Sequence, residues 1–190
     1  MQNKIQLALI YGSVRQGRFC DTVVAWACAQ IAQRSEFELS LIDPADLAPS
    51  TDPEASQLRH QRLQQLARAE AFLIVTPEYN HGYPAALKQF LDEVPASWQA
   101  RPVGFVSYGG VSGGLRAVEQ LRQVLAELHA TTVRTSVSFA NAWDQFDEQG
   151  GLLEPRRHSS AMAHMLVQLN WWAVALREAR ERVPYELARG

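Results

Sequence analysis

Cysteine is scarce in this chain. Cys20 and Cys28 are its two cysteines, too few for a disulfide framework and not spaced as Cys-x-x-Cys. Cys28 falls in an expected helix and reads as a small buried hydrophobe. The five histidines, His60, His81, His129, His158 and His164, lack metal-ligand spacing such as His-x3-His, so metal binding is not supported. No apolar run approaches the ~18 residues of a membrane span. Even the Trp171-Trp172 region is interrupted by Gln168, Asn170 and Arg177. There is no basic block, and a formal net charge of −2 leaves no electrostatic footprint for nucleic acid. The opening residues lead into a strand-like run without the pattern of a signal peptide, so a cytoplasmic protein is expected.

What is present is ordinary globular composition in 190 residues, 47% hydrophobic and 20% charged. That length and the absence of linkers or repeats give one domain, 1–190. The most informative stretch is Phe72-Leu73-Ile74-Val75 followed by Thr76-Pro77-Glu78-Tyr79-Asn80-His81-Gly82-Tyr83-Pro84. A continuous apolar run reads as a strand buried on both faces, and the Pro, Asn and Gly after it mark a turn at its carboxyl end. A helix opened by Pro84 follows, with Leu87, Phe90, Leu91 and Val94 on one face.

The rest of the chain alternates in the same way. Strands are expected at 5–11, 37–42, 102–108 and 131–139, and helices at 21–34, 57–69 and after the glycines of 109–114. The segment 43–56 reads as loop and 140–155 as an excursion. A last helix over about 156–182 is expected to turn Met162, Met165, Leu166, Leu169, Trp172 and Leu176 inward. Trp171-Trp172 reads as core or subunit interface. The alternation gives an α/β fold, a doubly wound five-stranded parallel sheet of order 2-1-3-4-5 with helices on both faces. Its switch point, between the first and third strands, brings the loops 12–20 and 76–84 together, with 107–114 beside them.

Each loop has its own chemistry. Gly12-Ser13-Val14-Arg15-Gln16-Gly17-Arg18-Phe19-Cys20 offers backbone amides near a helix start, a hydroxyl and two forked arginines, which suit a phosphate. Its Gly-x4-Gly spacing is that of a Walker A loop, but Arg18-Phe19 replaces the Lys-Ser/Thr needed for β/γ-phosphates and Mg²⁺, which disfavours an NTPase. No Gly-x-Gly-x-x-Gly follows the strand, so a monophosphate fits better than a dinucleotide. The second loop brings aromatic surface and Asn80 toward the crevice, and the third lets backbone approach a flat ring closely. No Gly-x-Ser-x-Gly elbow supports hydrolysis.

Gly12-Ser13-Val14-Arg15, Pro77-Glu78-Tyr79-Asn80 and Gly109-Gly110-x-x-Gly113-Gly114 together resemble the NADPH-dependent FMN reductase-like family, over roughly residues 5–128. The resemblance implies a flavodoxin-like, FMN-containing oxidoreductase. It would pass hydride from NADPH or NADH to flavin N5 and on to a small acceptor such as a quinone, free flavin, azo dye or metal oxyanion. It assigns Ser13, Arg15, Arg18, Phe19 and Cys20 to the FMN phosphate. Pro77, Glu78, Tyr79 and Asn80 would line the isoalloxazine edge, and Ser107, Tyr108, Gly109 and Gly110 would pack beside the ring. It implies no obligatory catalytic acid or base, and a homodimer or homotetramer, in keeping with apolar surface expected on the helix 84–93 and the last helix. Many relatives carry Ser and Asn where this chain has Arg18 and Cys20. Three other readings stay open: a flavodoxin-like electron carrier, a phosphatase of the same fold, and a flavin-free interaction module. The carrier's Thr/Ser-rich phosphate loop and acidity are missing, and the phosphatase's Cys-x5-Arg loop would need a cysteine at the other end of 12–20.

Overall fold

The computed structural model describes residues 4–188. Strand β3 (Ala71–Pro77) runs through the middle of a parallel sheet, between β1 (Ile5–Tyr11) and β4 (Pro102–Gly109). Strand β2 (Phe37–Ile42) pairs with β1 at one edge. At the other, β5 (Thr131–Thr132) and β6 (Val137–Ala140) pair with successive parts of β4. All pairings are parallel and the order is 2-1-3-4-5, as the alternation of elements required. Every residue of β3 and β4 is buried, which is why neither strand shows a polar alternation.

The period-two geometry of the strands sorts their side chains into two cores. Leu7, Leu9, Leu73, Val75, Val106 and Tyr108 face α1 (Cys20–Ile31) and α6 (Pro155–Arg182). Ala8, Ile10, Phe72, Ile74, Val103 and Phe105 face α2 (Pro53–Arg68), α3 (Ala85–Glu93) and α5 (Leu115–Glu127). The short α4 (Pro95–Trp98) delivers Trp98 to the second core, its ring 4.4 Å from Phe72 and 5.7 Å from Phe90. The indole N–H donates to the Leu91 carbonyl at 3.1 Å, so burial leaves no donor unpaired. A last turn, α7 (Tyr185–Ala188), follows α6.

Four expectations need correction. The helix expected at 57 starts at Pro53, because the Asp52 carboxylate caps it by accepting from the Ala55 N–H at 3.1 Å. The expected strand 131–139 is split, since Arg122 of α5 occupies the gap and donates to the Val133 and Arg134 carbonyls at 2.9 and 3.2 Å. In α6, Ala173 is buried while Trp172 stands partly in solvent and Leu176 is only half-buried. The 28-residue helix extends past the core, so its later turns have little to bury against. Helix α3 has no spare apolar face, because Leu87, Phe90 and Leu91 are all used in the second core.

The sheet's centre should therefore dominate stability. Leu73→Ala, at a fully buried position of β3, is expected to cost about 2–5 kcal/mol in urea unfolding. Leu187→Ala, at a largely exposed site in α7, should shift the midpoint within about 0.5 kcal/mol.

Candidate flavin site

The loops after β1, β3 and β4 meet at the carboxyl end of the sheet, where β1 lies between β2 and β3. Their approach is close. A Cβ on Gly12 would lie 2.6 Å from the Val75 carbonyl oxygen, which already accepts from the Gly12 N–H at 2.7 Å. Glycine is needed there for space.

The first loop is organised by Arg18. Its guanidinium forms a fork with Asp43 at the end of β2, through Nη1 to Oδ1 at 3.1 Å and a shorter Nη2 to Oδ2 contact. Nε donates to Asp21 at 2.8 Å and Nη1 also to the Ser13 carbonyl. These carboxylates hold the guanidinium's pKa above its usual range. All three nitrogens thus bond to protein, and Arg18 sets the loop's shape. The Ser13 side chain is buried, its Oγ 2.9 Å from the Tyr79 hydroxyl. Cys20 is also buried, with Sγ turned to the Val75 carbonyl at 3.6 Å. Phe19 packs at 5.8 Å on Tyr108 and at 5.6 Å on Phe146 from the 140–155 excursion. Arg15 remains exposed, its guanidinium 3.8 Å from the centre of the Tyr79 ring, and among the described residues it makes no ion pair. Helix α1 begins without a side-chain cap, because Phe19 at the N-cap offers no oxygen.

The second loop is a two-residue hairpin. Tyr79 and Gly82 exchange backbone hydrogen bonds of 2.9 and 3.0 Å around Asn80 and His81, both left-handed at φ 50° and 69°. Asn80 is exposed at the tip and Tyr79 half-buried. Pro77 is buried at the end of β3. Glu78 points the other way. Its carboxylate accepts from Ser112 Oγ at 2.7 Å, the Arg116 N–H at 3.2 Å and the Arg116 guanidinium at 2.9 Å. It thereby bolts the second loop to the third and places negative charge at the start of α5.

In the third loop, Ser107 and Tyr108 are buried beneath the turn. Ser107 Oγ donates to the Gly113 carbonyl at 2.8 Å. Gly110 has open space where a Cβ would be, whereas a Cβ on buried Gly109 would lie 3.4 Å from the Gly114 amide nitrogen and 3.5 Å from the Glu78 side chain. The structure thus brings all the expected site residues to one end of the sheet but divides their tasks. Arg15, Tyr79, Asn80 and Gly110 keep exposed or half-buried surface at the crevice, while Ser107, Tyr108 and the Cys20 thiol are buried beneath it and Glu78 and Arg18 are ion-paired. Sequence reasoning missed Asp43, Ser112 and Arg116. A carboxylate ending a strand next to β1 was a usable signal for Asp43; the other two carried none.

This architecture is the flavodoxin-like one. A family model described as NADPH-dependent FMN reductase matches residues 5–144, and the chain belongs to that family. It is 30% identical over 161 residues to an NAD(P)H-dependent FMN reductase of Schizosaccharomyces pombe, covering 79% of both chains. It is 34% identical over 141 residues to a quinone reductase of Escherichia coli K12, covering 68% of this chain and 74% of that one. The solved flavoenzyme FerB, an NAD(P)H:(acceptor) oxidoreductase of Paracoccus denitrificans, shares the fold with a TM-score of 0.64 at 21% identity. That match covers 87% of this chain and 96% of FerB. As a member of the family, the protein is an NAD(P)H-driven, FMN-dependent oxidoreductase.

The supporting layer has a pH signature. Burial pushes the Tyr108 phenol and the Cys20 thiol above their ordinary values. The folded state keeps these protons where the unfolded chain loses them, so stability is complete below the unfolded values, about 9 to 10, and falls as pH rises beyond them. The melting temperature should drop between about pH 9 and 11, and Tyr108→Phe should flatten part of that slope. Equal alkaline slopes in both proteins would show that Tyr108 does not titrate with unfolding.

Proposed function

We propose that residues 1–190 form one FMN-binding domain that oxidises NADPH or NADH and reduces a small acceptor, with a quinone as the favoured class. The carrying observation is the division of the first loop: Arg18 is neutralised within the fold, while exposed Arg15 and the uncapped start of α1 are left for an anion. Ser13 and the backbone of 18–20 complete that cradle. The Pro77–Asn80 segment borders the ring, and Ser107–Gly110 lies along its side. The crevice fits such a cofactor: space is open above Gly17 and Gly110, and Glu78 directs its charge to Arg116, away from a dianionic phosphate.

When bound, FMN supplies the hydride relay from nicotinamide to acceptor. The protein's residues bind and orient. Tyr79, anchored through its hydroxyl to Ser13, couples the phosphate end of the crevice to the ring end. The names of the matched relatives support a quinone acceptor. Steady-state NADPH or NADH oxidation with a quinone tests that acceptor class, and turnover with free FMN but none with a quinone would overturn it.

Assembly as a homodimer or homotetramer belongs to this reading. Val167 and Trp171, one turn apart on α6, are 53% and 62% exposed, so the outer face of that helix offers a surface to cover. Light scattering should give a multiple of 21.3 kDa, and a mass of 21.3 kDa at micromolar concentration would refute assembly.

Arg15 gives the sharpest test of the site. Moving its guanidinium from the Tyr79 face to a phosphate makes a charge-assisted contact worth about one to two decades in affinity. Arg15→Ala should weaken FMN binding about 10- to 100-fold and leave riboflavin, which has no phosphate, nearly unchanged. Equal losses for both flavins, or none, would remove the phosphate assignment.

A further inference from the structure

On the β6 side of the glycine loop lies a cavity of about 690 Å³ that contains none of the crevice-facing residues. It opens between that loop, β6, the 140–155 excursion and the first turns of α6. Its size is within the range of small-molecule sites.

Three large aliphatic side chains stand in solvent around it: Val111 at 88%, Leu115 at 49% and Leu153 at 61% exposure. Their clustering at one concavity is the mark of a surface meant to be covered. The polar lining is selective in a second way. Ser138 Oγ already donates to the Gly113 carbonyl at 2.9 Å, and Gln145 Nε2 donates to the Ala140 carbonyl. One donor of each is used within the protein, which leaves acceptor capacity at Oγ and Oε1 and a second N–H on Gln145. The pair suits a group that both donates and accepts, as a hydroxyl does. Charge narrows the class again. Asp144 and Glu154 oppose the single Arg157 among the lining residues, so the site carries no positive excess to attract phosphate. His158, stacked on Phe139 at 4.4 Å, adds no charge at neutral pH because burial lowers its pKa.

We propose that this cavity is a second binding site, for a neutral hydroxylated aromatic molecule of the phenol or hydroquinone class. The aliphatic rim covers the ring, and Ser138 and Gln145 accept from the hydroxyl. The site is independent of the flavin crevice and does not rest on the function proposed above. It involves binding only and no transfer of electrons.

The test uses the full-length, ¹⁵N-labelled protein as purified, without NADPH or NADH, titrated with 1-naphthol, which accepts no hydride. Saturable shifts are expected at the amides of 136–138, 145 and 153–158. Methylation of the hydroxyl, as in 1-methoxynaphthalene, should weaken binding about tenfold, the loss of roughly one hydrogen bond. Ala161→Phe, which fills the cavity from α6, should weaken 1-naphthol binding at least about tenfold with FMN content and melting temperature unchanged. Gln145→Leu should abolish the discrimination between the two naphthalenes, and it serves as the deciding variant where Ala161→Phe does not fold. The proposal fails if shifts are confined to 12–20 and 78–84, if a folded Ala161→Phe binds as wild type, or if Gln145→Leu still discriminates. It also fails if 1-naphthyl phosphate binds more tightly than 1-naphthol, which would make the cavity an anion site.

Discussion

The two-sided burial of β3 is the constraint on which the rest of the structure depends. A strand with no exposed residue cannot slip by one position without exchanging the contents of both cores, so its register against β1 and β4 is fixed. That register determines where Pro77 leaves the sheet, and hence where the Tyr79–Gly82 hairpin projects. It also brings the Val75 carbonyl within 2.7 Å of the Gly12 amide, which sets the start of the first loop. The crevice is thus an extension of core packing.

Electrostatics then divides the labour within the crevice. Two arginine–carboxylate contacts, Arg18 with Asp43 and Arg116 with Glu78, tie each functional loop to a neighbouring element. The first is largely buried and forked, so removing Arg18 would strand the Asp43 charge. Because these pairs neutralise their own members, Arg15 is left as the uncommitted cation at the open end. Arg15 in turn rests on the Tyr79 ring, so the cation and the ring wall form one unit.

The 140–155 excursion serves both sides of the glycine loop. Phe146 supports Phe19 under the crevice, while Asp144 and Gln145 line the separate cavity. A bridge between Phe146 and Leu152, with the Asp147 carboxylate accepting from Gln149 and Gly151 amides at 3.0 and 2.7 Å, gives this segment its own compact shape.

The sequence by itself determined the strand–helix alternation, the parallel order and the three converging loops, because continuous apolar runs and Gly/Pro punctuation are local signals of burial and turning. It also marked residues that the structure brings to that end of the sheet, but not their partners Asp43, Ser112 and Arg116. Only the tertiary structure decided what each one does. Arg15 and Arg18 are alike in sequence, yet Asp43, distant in the chain, claims one and leaves the other free. Glu78 looked like part of a ring-lining tetrad until Arg116 and Ser112 turned it away. The split of the last strand, the outward Trp172 and the second cavity likewise depend on contacts between distant segments. A side chain's partner is set by packing across the fold, and no local pattern encodes it.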